Sequence, residues 1–263
     1  MFLFSPDPDV QRFWYQQVME IFIDDSYEQM SKRAADDVIS LMQSIQQPVI
    51  CTASGDSPAG LYREMVKRSG KKQLDVSDWL FVGLDEWRGM NGEDEGSCRF
   101  HLNQQLFQPL NIPEERICFF DGRAKDPEQE CQHTESFIHE HGGINIAIVG
   151  LGINGHVGMN EPGTSPLLRS HVADIDSSTQ EVGQKYFKTP RQLTQGITLG
   201  IANLMETHQV FLLASGAHKA EIIKRALEEE PSAQVPFSLL KKHPGLRIYL
   251  DKSAASMISE QHE

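Results

Sequence analysis

The chain has 263 residues, 39% of them hydrophobic, with 24 Lys and Arg against 37 Asp and Glu, a formal net charge of −13. That length fits one large domain or two small ones, with ample chain for a sizeable buried core. The acidic balance argues against a nucleic-acid binder, whose affinity rests on cations neutralising phosphates, and against an anionic membrane surface as partner; no stretch approaches the ~20 apolar residues of a membrane span.

Residues 1–18 read as an N-terminal extension. The opening MFLFSPDPDV has no basic segment, and its two Pro-Asp pairs interrupt any apolar run, so it is not expected to be a secretion signal. Residues 19–263 are expected to form a single domain. Residues 20–23 (EIFI) read as a strand, and Ser26 as the N-cap of a helix with apolar positions Met30, Ala34, Val38, Leu41 and Ile45. A strand over 48–52 and a helix over 58–67 follow, then a strand over 79–84, a polar loop over 88–96 and a helix over 97–107. Next come a short strand at 117–120 and a polar helix over 127–141, stopped by Gly142 and Gly143. INIAIV at 144–149 is a purely apolar run of the kind buried on both faces of a parallel sheet. VFLLA at 210–214 is another, followed by a helix over 217–229 and a last strand at 246–250. Strand–helix alternation predicts an α/β sandwich with a mostly parallel central sheet. The four cysteines (Cys51, Cys98, Cys118, Cys131) are far apart with no CxxC pair, which reads as free thiols in a reducing, cytoplasmic setting. His133, His139 and His141 lie on the polar helix without metal-site spacing, so no metal is expected.

Ligand sites of parallel sheets gather at the carboxyl ends of the strands, and four such ends carry unusual residues. TASGDSP at 52–58 offers Gly55 for a tight turn beside Ser54, Ser57 as the cap of a helix and Pro58 for its first position, where backbone N–H groups and the helix dipole favour phosphate. Asp56 counts against an anion unless it turns away. LDEW at 84–87 sets two carboxylates, Asp85 and Glu86, at the end of an apolar strand; alternation sends only one of them to the site. GLGINGHVGMNEP at 150–162 contains Gly150, Gly152 and Gly155 in a G-x-G-x-x-G pattern, with Asp174 at a distance that suits a ribose ligand. Gly158, Pro162, Gly163 and Pro166 break the helix that a dinucleotide site requires, so the better reading is a substrate loop presenting His156, with Glu161 as its orienting carboxylate. SGAHK at 215–219 places Lys219 in the first turn of a helix, where a cation opposes the dipole and answers a bound anion.

The combination of L-D-E-W at 84–87, G-x-G-x-N-G-H-x-G-x-N-E-P at 150–162 and S-G-x-x-K at 215–219 resembles the glucosamine-6-phosphate deaminase/isomerase family over roughly residues 20–250. The resemblance implies a Rossmann-like three-layer sandwich, no cofactor, and conversion of an aminosugar 6-phosphate and water to a ketose 6-phosphate and ammonia. It makes Asp85 the base between C2 and C1 and His156 the ring-opening acid/base, with Glu161 holding the imidazole. Ser54, Gly55, Ser57, Gly150, Lys185 and Lys219 would bind the substrate and its phosphate. Met159–Pro162 distinguish the loop from that of sister 6-phosphogluconolactonases. Three departures stand out: Asn154, counted with the catalytic residues, stands where an aspartate is usual and so removes a carboxylate that bears on ring opening or sugar preference; Trp87 stands where tyrosine is commoner; and Lys185 replaces an arginine, which loses a bidentate contact. A galactosamine-6-phosphate isomerase, a lactonase-type ester hydrolase and a non-catalytic sugar-phosphate sensor remain alternatives, and oligomeric state stays open.

Overall fold

The structure, a computed structural model, describes residues 19–259, so the expected extension at 1–18 lies outside the described residues. β1 (Glu20–Asp24) leads into α1 (Tyr27–Met42). The N-cap Ser26 of α1 accepts from Gln29 N, and Met30, Ala34, Val38 and Met42 are buried at helical spacing. The helix stops before Ile45, which lies in the turn beyond it. β2 (Val49–Thr52), α2 (Asp56–Gly70) and β3 (Leu80–Gly83) follow, then β4 (Asp85–Trp87) and α3 (Cys98–Leu102). α3 continues as a π turn over Asn103–Phe107, so the helix predicted over 97–107 changes its winding halfway. After β5 (Ile117–Cys118), α4 (Pro127–Glu140) and β6 (Ile146–Gly150) come β7 (His171–Asp174), α5 (Ser177–Gly183) and β8 (Gln195–Thr198). The chain closes with α6 (Ile201–Met205), β9 (Gln209–Ala214), α7 (Ala220–Glu228) and β10 (Leu246–Asp251).

Seven strands form the central sheet in the order β1-β10-β9-β6-β2-β3-β5, and every neighbouring pair is parallel. Strand alternation divides the core into two layers. Ile50, Ile146, Ile148 and Phe211 face a layer built by α1 and α2, while Cys51, Ala147, Val149 and Leu212 face the layer of α4, α6 and α7. This is the expected three-layer Rossmann-like α/β sandwich. The strand order runs outward through β2, β3 and β5 on one side and through β6, β9 and β10 on the other, so the direction reverses between β2 and β6. Crevices form at such a reversal.

The sequence does not announce a second sheet, yet one is present. β4, β8 and β7 form a small antiparallel sheet in that order. The join has no loop: Leu84 N donates to Thr52 O at 3.0 Å, continuing the central sheet, while Leu84 O accepts from Leu199 N at 2.9 Å, entering the small one. A further difference lies before α7. Ala217–Lys219 is a 3-10 turn, so Lys219 stands at the N-cap of α7 rather than inside its first turn.

Candidate active site

The carboxyl ends of β2, β3, β6 and β9 border one cleft of about 290 Å³ at the β2/β6 reversal. Each wall contributes chemistry: Ser54 and Gly55 from the β2–α2 turn with Ser57 from the first turn of α2, Asp85 and Trp87 from β4, Gly150 from the end of β6 with Gly152 and His156 from the loop after it, and Lys219 from the turn after β9. A fifth wall comes from α5 and the 3-10 turn Gln184–Tyr186 behind it, and brings Thr179, Lys185 and Tyr186. Of the residues singled out in the sequence, Asn154 and Glu161 do not line the cleft; they stand behind His156.

Alternation along β4 separates the two carboxylates as expected. Asp85 lines the cleft, where burial pushes its carboxyl up to about 6 against the opposing hydrogen bond of the Cys98 thiol. Glu86 is fully buried and accepts the backbone N–H groups of Trp87 at 2.8 Å, Cys98 at 3.0 Å and Arg99 at 3.0 Å. It fastens β4 to the start of α3 and has no part in the cleft. Burial pushes it up to about 7 although these three donors favour its charged form.

His156 is held by a short relay. Its backbone N donates to Asn154 Oδ1 at 3.1 Å, which identifies that atom as the acceptor, and its ring Nδ1 lies 2.7 Å from the same oxygen. Nδ1 therefore carries the hydrogen and Nε2 keeps its lone pair. Asn154 Nδ2 donates in turn to Glu161 Oε2 at 2.8 Å, and Thr179 Oγ1 lies 3.0 Å from Nδ1. The direct grip of Glu161 on the imidazole that the sequence suggested is not made: Glu161 Oε2 is 3.7 Å from Nδ1, beyond hydrogen-bond length, and acts through Asn154. Asn154 sits two residues from His156, close enough for its short side chain to fold back on the ring. Burial, followed by the charge of Lys219, draws His156 down to about 4, with Asp176 opposing, so the ring is neutral at ordinary pH. Gly152 makes room for it, since a Cβ there would stand 2.1 Å from His156 Cε1.

The opposite end of the cleft suits an anion. Gly55, not Ser57, is the N-cap of α2: it takes φ +112°, a turn that an L side chain rarely adopts, so the helix begins at Asp56, Ser57 and Pro58 fall inside its first turn, and no side chain caps it. The first N–H groups of a 15-residue helix are thereby left open. Lys219 Nζ donates to Leu151 O at 2.6 Å; burial, then the charge of Lys185, lowers it to about 8. Lys185 Nζ donates to Asp56 Oδ2 at 2.6 Å. Burial works against the Lys185 charge, but the bond to Asp56 outweighs it and raises the ammonium above its ordinary value.

Neither Thr179 nor Tyr186 was found from the sequence, because α5 is a short polar helix with no motif. His101 and Cys98 of α3 also line the cleft unannounced. The dinucleotide pattern has no structural support: a loop and then β7, not a helix, follow β6, and Asp174 accepts from Gln195 Nε2 at 2.9 Å. Among the described residues no group of three His, Cys, Asp or Glu side chains could hold a metal ion, and no helix is long and apolar enough to cross a membrane.

The family model described as glucosamine-6-phosphate isomerases/6-phosphogluconolactonase matches residues 24–248. The chain belongs to this family. A glucosamine-6-phosphate deaminase of Oceanobacillus iheyensis is 36% identical over 245 residues, 93% of this chain and 98% of the relative. The solved structure of a monomeric glucosamine-6-phosphate deaminase superposes with a TM-score of 0.88 at 31% identity, covering 91% of this chain and 100% of that one. A 6-phosphogluconolactonase from Trypanosoma brucei shares the fold, with a TM-score of 0.72 at 18% identity over 93% of this chain and 100% of that one. This member of the glucosamine-6-phosphate isomerase/6-phosphogluconolactonase family thus combines the shared sandwich with a neutral amide, Asn154, between His156 and Glu161.

Proposed function

We propose that the chain is an aminosugar 6-phosphate deaminase/isomerase, converting an aldose amine and water to a ketose 6-phosphate and ammonia. The observation that carries this reading is the pairing, in one cleft, of a carboxylate with a raised pKa, Asp85, and a neutral imidazole, His156, opposite two lysines and an open helix start. The names of the similar deaminases support it. Cleft size is in keeping with a single sugar phosphate.

The residues divide the work. The phosphate docks on the backbone at Ser54, Gly55 and Ser57 with Lys185 and Lys219, leaving C1 and C2 toward β4 and the loop after β6. His156 Nε2 takes the proton of the C1 hydroxyl and returns it to the ring oxygen, opening the pyranose. Nδ1–H, held by Asn154, fixes the ring orientation throughout. Asp85 then removes the C2 proton and delivers it to C1 while a proton passes from the amine to the C1 oxygen, leaving a C2 ketimine; water adds to that C=N carbon, and the C–N bond breaks to release ammonia and leave the C2 ketone. A base with a pKa near 6 is ionised at neutral pH yet strong enough to take a carbon-bound proton acidified by its neighbour. Four buried, unpaired cysteines support a reducing, cytoplasmic setting.

Ammonia release should be assayed on glucosamine 6-phosphate and galactosamine 6-phosphate, with ester hydrolysis of 6-phosphogluconolactone in parallel. Turnover of either aminosugar phosphate with loss of activity in Asp85→Asn is the expected result. Lactone hydrolysis that survives Asp85→Asn, without ammonia release from any aminosugar, would overturn the reading in favour of an ester hydrolase. Tight binding without turnover of any substrate would favour a sensor.

A further inference from the structure

One polar contact at the anion end of the cleft has no counterpart in the chemistry above. Asp56 is the first residue of α2 and Lys185 belongs to the 3-10 turn after α5, 129 residues away, yet their side chains meet at 2.6 Å across the cleft mouth. Both sides are anchored. The carbonyl of Asp56 accepts from Tyr27 Oη at 2.6 Å, and the same hydroxyl accepts from Gly60 N at 2.7 Å, tying the first turn of α2 to α1. Lys185 Nζ lies 4.9 Å over the ring of Tyr186. The helix dipole explains an acid at the start of α2, but it asks nothing of Lys185. The two side chains are 74% and 48% exposed, the regime in which an ion pair adds little to folding and is easily parted. Two ammonium groups less one carboxylate leave this end of the cleft with one net positive charge, to meet a phosphate that carries close to two negative charges.

Resting on the reading of this end as the phosphate site, we propose that Asp56 is a resident counter-anion. It holds Lys185 in place in the free enzyme, yields it to the incoming phosphate, and sets how tightly and how selectively the dianion is kept. Asp56 thus acts on substrate affinity by charge, from a position where a residue without charge would leave both lysines to the ligand.

The test uses inorganic phosphate as a competitive inhibitor, and the KM for the aminosugar 6-phosphate, at fixed low ionic strength in wild type, Asp56→Asn and Glu115→Gln. Asp56→Asn keeps the side-chain shape and removes the charge. Glu115→Gln removes one exposed charge before β5, at the opposite edge of the sheet. Asp56→Asn should tighten phosphate and lower KM by ~10-fold, the scale expected for one carboxylate a few ångströms from a dianion in partly solvated surroundings. Glu115→Gln should leave both unchanged. Because the expected effect is a gain in affinity, a merely misfolded variant cannot produce it. Equal or weaker phosphate binding in Asp56→Asn, with clear inhibition of both forms, overturns the counter-anion role and leaves the phosphate site standing. Absence of inhibition by phosphate in both forms overturns the counter-anion and the phosphate reading together.

Discussion

Replacing Asn154 by aspartate changes almost nothing in side-chain shape but puts a carboxylate 2.7 Å from His156 Nδ1 and 2.8 Å from Glu161 Oε2. In wild type His156 is drawn down to about 4, so in the proposed mechanism the acid limb of kcat/KM belongs to Asp85, which acts as an ionised base and is raised to about 6. A new unit charge about 4 Å from the imidazolium centre is worth ~4 kcal/mol at an effective dielectric of ~20, or ~3 pKa units. That lifts His156 to ~7. Ring opening by Nε2 needs the neutral imidazole, so activity would now be lost as pH falls through ~7 as well as through 6. The acid limb should move upward and steepen from a slope of one toward two on a logarithmic plot. Initial rates of ammonia release between pH 4.5 and 9 measure this directly. A limb that keeps its wild-type position and unit slope would refute the reasoning. It would mean that the introduced carboxylate and Glu161 share a proton, as carboxylates in contact do, and that the neutral amide is not what keeps His156 uncharged.

Asp85→Asn should lower kcat by ~10²–10⁴ with KM little changed, because the lost group acts on the carbon acid and not in docking. The same variant should be more stable at pH 8 by up to ~3 kcal/mol and no more stable at pH 4: a carboxyl raised from 3.8 to about 6 in the fold gives stability that is present at low pH and lost as pH rises through 6. An equal shift in Tm at both pH values would contradict this. Lys219, near 8, should produce a rise in KM above that pH, and Lys219→Arg should carry the rise beyond pH 9 if charge at this position is what the phosphate requires. Gly152→Ala presses a methyl on the His156 ring and should cut kcat by ~10²-fold, the scale of a small misplacement of a catalytic group. The circular dichroism spectrum should be retained; unchanged turnover would show that the ring is not confined by Gly152.

The central sheet was legible because its strands are buried on both faces and therefore read as unbroken apolar runs, as in 144–149 and 210–214. The small sheet was not. His171–Asp174 and Gln195–Thr198 are four-residue strands of mixed polarity, and their pairing with β4 is a contact between segments far apart in sequence. Asp85, His156 and Lys219 could be singled out because strand ends of a parallel sheet share an edge. Lys185 entered only through family resemblance, since α5 and its 3-10 turn carry no pattern that points to the cleft. The partner that holds His156 escaped the sequence for a simpler reason. Spacing offered Glu161 as the orienting carboxylate, and only the turn geometry makes the two-residue neighbour Asn154 the one that reaches the ring. Asp56 looked like an obstacle to phosphate, and the contact that gives it a use lies 129 residues away.

Leu84 bonds the central sheet through its N–H and the small sheet through its carbonyl, and Asp85 is the next residue along. The carboxylate proposed to move the proton is thereby set in the joint between two sheets. Thr179, Lys185 and Tyr186, by contrast, ride on a short helix and turn that belong to neither sheet. The segment over 177–187 therefore reaches the cleft from outside both sheets, with Thr179 Oγ1 3.0 Å from His156 Nδ1 and Lys185 Nζ on Asp56, so a displacement of that one segment would carry the support of the imidazole and the Lys185 ammonium together relative to Asp85.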